Sequence, residues 1–134
     1  MKKLILIVSL LLCAASFESL AQNYKYMSTD FAYKVLKSNG YWSEWSDWED
    51  SHCLININLD REEVNIYSDE PQEFTIYDSS NTKLDANGGK QLKLKCVDSD
   101  GLRCVVRLRV QSNGQMQLYV DYNDLMYVYC IEER

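Results

Sequence analysis

The sequence predicts an all-β domain, an antiparallel meander of eight or nine short strands closing as a small up-and-down barrel, with a β-sandwich as the alternative. Three observations carry that expectation. Apolar residues recur at every second position through most of the chain, the period of a strand with one face on a core and one toward water. Clusters of Gly, Asn, Asp and Ser separate these runs where hairpins turn. No segment after residue 22 carries a helical stripe, a single turn near Asp30 being the one place a helix would fit. A meander must bury its apolar face, and short connections with no crossing favour closure into a barrel.

The chain begins with a segment that does not belong to the fold. Lys2 and Lys3 precede the apolar run Leu4 to Leu12, and Ser19-Leu20-Ala21 has the small-x-small pattern of a cleaved export signal. The run is too short to span a membrane as a helix. Cys13 suggests lipid attachment as an alternative, but Leu12 stands where a lipobox needs a small residue. Residues 1–21 therefore read as a signal peptide and 22–134 as one all-β domain, periplasmic or secreted. With no repeats, no low-complexity tract and one proline, the chain offers no linker to a second domain. Its formal net charge of −6 argues against nucleic acid and anionic lipid as partners.

Taken in order, the strands announce themselves by alternation. Cys53, Ile55, Ile57 and Leu59 form one apolar phase, then Val64 and Ile66, Phe74 and Ile76, and Leu92, Leu94 and Cys96. Leu102, Cys104, Val106, Leu108 and Val110 give the clearest case, followed by Met116, Leu118 and Val120 and the closing apolar run Leu125 to Ile131. Asn39-Gly40 and Asn113-Gly114 suit two-residue type I′ turns, whose central residues both need positive φ. Ser99-Asp100-Gly101 suits a three-residue loop with a left-handed glycine, and Asp60 to Glu63 and Asp121 to Asp124 read as tight polar turns. Ser79 to Gly89 reads as the one long loop.

Export makes the cysteines disulfide candidates. The loop at Ser99-Asp100-Gly101 sets Cys96 directly opposite Cys104, and Cys53 and Cys130 fall on inner phases that would let a second bridge tie an early strand to the last. Four cysteines leave three connectivities open. No Cys-x-x-Cys spacing exists and His52 is the lone histidine, so neither a metal site nor a cofactor is expected. No serine sits in a nucleophile elbow, and the carboxylates Glu44, Asp47, Glu49 and Asp50 have no evident cleft to separate their pKa values, so the chain does not read as an enzyme. Asp98-Ser99-Asp100-Gly101 has part of a calcium loop but lacks the distal glutamate.

Two surfaces stand out as ligand-binding candidates. Trp42, Trp45 and Trp48 recur every third residue, which on a strand puts Trp42 and Trp48 on one side and Trp45 on the other. A two-residue turn at Asn39-Gly40 would set Lys37 against Trp42, Lys34 against Trp45 and Phe31 against Trp48. Tyr67, Tyr77 and Tyr119 lie on outward phases, as do Lys93, Lys95, Arg103, Arg107 and Arg109 on one hairpin, a basic strip suited to an anionic glycan or headgroup or to pairing with acidic neighbours.

The stretch Trp42-Ser43-Glu44-Trp45-Ser46 resembles the W-S-x-W-S motif of cytokine-receptor fibronectin-type domains, and extended to Trp48 it is similar to the tryptophan strand of thrombospondin type 1 repeats. In both families arginines stack on the indoles. The chain departs from both, since most of it follows Ser46 and the thrombospondin cysteine pattern is missing. More broadly the chain resembles a family of small, uncharacterised secreted proteins of Gram-negative gut-type bacteria. The spaced tryptophans, Ile66-Tyr67-Ser68, Cys96-Val97-Asp98-Ser99-Asp100-Gly101 and the Tyr-rich last strand carry that resemblance, which implies an envelope or secreted setting and no established activity.

The resulting expectation is a non-catalytic binding or interaction module of the cell envelope. A lipocalin-like barrel would take a small apolar ligand, a glycan or a partner protein. The alternative is a structural or inhibitory protein whose exposed tyrosines build a homodimer or partner interface.

Overall fold

The computed structural model describes residues 23–83 and 88–134, so the expected signal peptide, Cys13 and the cleavage site lie outside the described residues. Nine strands follow one another: β1 (Asn23–Val35), β2 (Glu49–Asp50), β3 (Leu54–Asn58), β4 (Glu63–Tyr67), β5 (Gln72–Lys83), β6 (Lys90–Asp98), β7 (Arg103–Val110), β8 (Met116–Asp121) and β9 (Leu125–Glu133). From β3 to β9 each strand pairs antiparallel with the next, β3 also pairs with β1, and β1 meets β9. Eight strands thus close an up-and-down barrel, and the short β2 adds to the edge of β1. The barrel is the expected architecture, and the sandwich is set aside. Among the described residues no helix is long and apolar enough to cross a membrane.

Alternation explains why the sheet closes. Ile55 and Ile57, Val64 and Ile66, Phe74 and Ile76, Leu94 and Cys96, Cys104 and Val106, and Leu118 and Val120 point inward and form one buried cluster. Ile55, Ile57, Val64, Ile66, Leu94, Val106, Leu118 and Val120 have no exposed surface. An eight-stranded barrel is just wide enough for its own side chains to fill, and these inward residues form its core.

Three hairpins share one device, which corrects two of the turn expectations. Gly40, Gly101 and Gly114 have φ of +88°, +85° and +89°, while Asn39 and Asn113 keep negative φ. Lys37 donates to Tyr41 while Gly40 donates back to Lys37, and Gln111, Gln115 and Gly114 repeat the pattern. Ser38-Asn39-Gly40 and Ser112-Asn113-Gly114 are therefore three-residue loops like Ser99-Asp100-Gly101, not type I′ pairs. The Asn side chain makes the difference by accepting the N–H two residues on, at 3.0 Å from Tyr41 and 2.9 Å from Gln115.

Two further expectations are corrected by long pairing. β1 is a thirteen-residue strand that sequence periodicity does not reveal. A bulge between Ser28 and Asp30 switches its phase, so Tyr26 and Ser28 face inward and then Phe31 and Tyr33 do. Much of the expected long loop is also strand, because Ser79 to Lys83 pair with Leu94 to Lys90.

Cys53, Cys96, Cys104 and Cys130 are free thiols, which corrects the disulfide expectation. Cys96 and Cys104 are cross-strand partners, as the loop predicts. Their sulfurs, however, take different partners: Cys96 Sγ donates to the Leu94 carbonyl at 3.5 Å, and Cys104 meets the Tyr122 hydroxyl. Cys53 faces the interior, bonded to Ser28, whereas Cys130 lies beside Asp30 and Gln117 on the outside of the wall. A bridge between those two would have to pass through the sheet.

Candidate functional site

The long β1 has two partners on one edge. Asn23 to Met27 pair with β3, and beyond the bulge the same edge is taken by the chain segment 42–50. Ser28 marks the exchange. Its buried hydroxyl accepts the Cys53 N–H at 2.8 Å and lies 2.8 Å from the Ser51 hydroxyl, fixing the point where β3 departs. Past it β3 has left β1, and the far half of β1 faces the β4–β5 connection across a notch in the wall.

An open cleft of about 340 Å³ fills that notch, lined by Phe31 and Tyr33 of β1, Leu125, Tyr127 and Tyr129 of β9, and Ser68, Glu70 and Gln72 across the gap. The aromatic wall is the cross-strand pairing Phe31 with Tyr129 and Tyr33 with Tyr127. Its ring centroids are 5.2 Å apart for Phe31–Tyr129, 5.9 Å for Phe31–Tyr127 and 6.2 Å for Phe31–Tyr33. Tyr127 and Tyr129 are almost buried, while Tyr33 is 42% exposed.

Gln72 organises the floor. Its Oε1 accepts the Tyr127 hydroxyl, and its Nε2 donates to Tyr129 Oη at 3.2 Å and to Ser68 Oγ at 3.1 Å. Ser68 in turn donates to the Glu70 carbonyl at 2.8 Å. Burial pushes the Tyr129 phenol up to about 12, against the hydrogen bond from Gln72, and raises Tyr127 further, with Tyr129 beside it adding to the rise. Both phenols hold their protons at neutral pH.

The tryptophan segment is not a regular strand, and its order corrects the expected facing. Ser43 bonds Val35 through both its N–H and its hydroxyl, at 2.8 and 3.0 Å, and Ser46 does the same to Tyr33 at 2.7 and 3.0 Å. Glu49 then faces Phe31. Three residues of this ribbon therefore match two of β1, one residue in each repeat being extra, as in a bulge. That ratio returns every tryptophan to the same face. Lys34 Nζ accordingly lies 5.7 Å from the Trp42 ring and 4.8 Å from the Trp45 ring, and Leu36, not Lys37, is the partner of Trp42.

The ribbon meets the basic hairpin on the outside of the barrel. Trp45 stands edge-on to Tyr119 at 6.1 Å. Tyr119, Val128 and Ala32 are cross-strand neighbours in a row, so an indole reaching Tyr119 from the edge passes over the other two. Hence Ala32 and Val128 are only 1% and 2% exposed although they point outward. Arg107 lies 4.3 Å and Arg109 5.5 Å from the centroid of the Tyr119 ring. Arg107 is also held by Asp121, at 2.5 Å from Nε and 3.1 Å from Nη2, so it is occupied by its own chain. Arg103 lies 5.8 Å from Tyr77. Trp48 is 52% exposed and, among the described residues, has no ring or cation partner.

The sequence candidates thus divide. Trp42, Trp45, Tyr119, Arg107 and Arg109 join in one outer ladder, with Arg103 and Tyr77 a separate pair. Tyr67 and Tyr77 do not share a surface: Ile66 pairs with Gln72 and Glu63 with Thr75, which puts them beyond opposite ends of the β4–β5 ladder. Sequence reasoning missed the cleft, although Phe31-x-Tyr33 and Tyr127-x-Tyr129 keep a period of two at strand ends. His52 is exposed. Among the described residues no group of His, Cys, Asp or Glu is arranged to hold a metal ion.

Compared with protein-family models, curated proteins and solved structures, the chain matches none.

Proposed function

We propose that the protein is a non-catalytic binding module of the bacterial cell envelope that takes a small ligand in the notch of its barrel wall. The observation that carries this reading is the cleft between β1, β9 and the β4–β5 connection, a concave aromatic surface beside a few convergent polar groups. The inward apolar residues form one buried cluster, and the cleft lies at the rim, not on the barrel axis where a lipocalin-like fold would hold an apolar guest. The export-type residues 1–21 and the resemblance to secreted proteins support the envelope setting.

The test is a heteronuclear NMR titration with the pooled small molecules of a Gram-negative envelope extract. The reading expects shifts concentrated on Tyr33, Leu125 and Gln72, and loss of them in Tyr33→Ala, whose half-exposed ring can be removed without opening the core. Shifts confined to other faces would overturn it.

A second reading, an interaction protein, has one observation in its favour. Trp48 and Tyr41 are 52% and 72% exposed at the outer edge of the ribbon. A dimer built there would bury the Trp48 indole, which its fluorescence would report on dilution.

A further inference from the structure

The hydrogen-bond valences around the cleft select a ligand class. Gln72 has no proton left to give: both Nε2 protons are engaged, by Ser68 and Tyr129, while its Oε1 accepts from Tyr127. Ser68 accepts from Gln72 and donates to the Glu70 carbonyl, so it has no proton to offer. Tyr129 accepts from Gln72 and therefore keeps its own O–H proton for a ligand. Tyr127 spends its proton on Gln72 and keeps a lone pair. The Glu70 carboxylate adds acceptors only, and the lining holds no Lys, Arg or His.

The cleft thus sets a fixed donor, a fixed acceptor and a carboxylate beside aromatic rings. A ligand hydroxyl gives and accepts at once and satisfies the first two together. A ring with an apolar C–H face covers Phe31 and the exposed Tyr33. A carboxylate or phosphate on the ligand meets Glu70 and a lone pair with no cation to balance it, and desolvating such a charge is costly. A long alkyl chain leaves the Tyr129 proton unpaired.

We infer that the cleft binds an uncharged polyhydroxylated ring, a neutral pyranose of a glycan, and rejects its acidic counterparts. This rests on the binding reading above and names its ligand class. Tyr33 supplies the stacking surface, Tyr129 donates, and Tyr127 and Glu70 accept.

The experiment is NMR-monitored titration with neutral disaccharides of glucose, galactose and N-acetylglucosamine, with the corresponding disaccharides carrying a uronic acid, and with octyl and dodecyl carboxylates. At least one neutral disaccharide is expected to shift the Gln72 side-chain amide and the Leu125 methyls. Its uronic counterpart is expected to bind about tenfold more weakly or worse, Glu70→Gln to narrow that difference, and Tyr33→Ala to weaken the neutral sugar by about tenfold or more with the melting temperature unchanged. Tyr129→Phe should weaken it similarly, and because that ring is buried, Glu70→Gln and Tyr33→Ala keep the test independent of any loss of folding. Equal binding of the uronic disaccharide overturns the inference. Shifts of the cleft by the alkyl carboxylates alone also overturn it but leave the binding reading standing. No cleft shift from any of these probes overturns the glycan assignment, and silence toward the envelope pool as well removes the binding reading with it.

Discussion

Trp45 shows how one residue can serve as cover for a wall that has no second layer. Its indole crosses Ala32 and Val128 to reach Tyr119, and Lys34 stands over its ring. A side chain larger than the outward-facing Ala32, which is 1% exposed, would crowd that path. Removing a fully buried aromatic costs ~3–5 kcal/mol, and Trp45, being 39% exposed, should cost less. Trp45→Ala is expected to lower stability by about 2 kcal/mol in denaturant titration, with Trp48→Ala changing it by under about 0.5 kcal/mol. Equal effects from the two would mean that the indoles are interchangeable surface groups.

The ribbon itself is held by serines. In each Trp-Ser repeat the hydroxyl replaces a strand's carbonyl as acceptor for a β1 amide, at 3.0 Å for both Val35 and Tyr33. The segment can therefore advance three residues for every two of β1 and still satisfy the edge. Ser46→Ala removes the acceptor of the Tyr33 N–H, a net loss of about 1 kcal/mol for a single exposed hydrogen bond. Amide exchange at Tyr33 is expected to quicken, while Ile55 and Val106 in the barrel keep their protection. Unchanged exchange at Tyr33 would show that the hydroxyl does not hold the edge. The spacing of the tryptophans was plain in the sequence, but its meaning was not. A three-residue period has opposite consequences on a strand and on a ribbon with an extra residue per repeat, and the serine bonds that decide between them are long-range.

At the scale of the molecule, the closed barrel buries acids that titrate only at high pH. Burial raises Cys96 from 9.0 to about 12, with Cys104 adding to it, and raises Cys104 to about 11. Burial likewise lifts Tyr26 and Tyr129 from 10.0 to about 12. Each group holds its proton more tightly folded than unfolded. Their contribution is complete below about pH 9 and is lost as pH rises through about 11–12, where the unfolded chain ionises first. Stability measured by urea titration is therefore expected to fall from about pH 9 upward, with the ring NMR signals of Tyr26 and Tyr129 reporting ionisation only together with unfolding. Ionisation of those two rings well before the unfolding transition would show that they are solvated.

Periodicity of two, the Asn-Gly and Ser-Asp-Gly turn signals and short connections were sufficient for an antiparallel meander, because alternation and turn chemistry are local and need no partner to be read. They also placed Cys96 opposite Cys104, since a hairpin's register follows from its loop. The Tyr-rich run of β9 has no alternation, so its phase was illegible and Cys130 was assigned to the wrong face. β1 changes phase in mid-strand at a bulge, which hid the strand and with it Phe31 and Tyr33. Only closure of β1 onto β9 brings those rings against Tyr129 and Tyr127, and only the exchange of β1's partner from β3 to the tryptophan ribbon opens the notch across from Gln72. Strand identity is a property of neighbouring residues, whereas a cleft belongs to residues far apart in the chain whose meeting is decided by how the sheet closes.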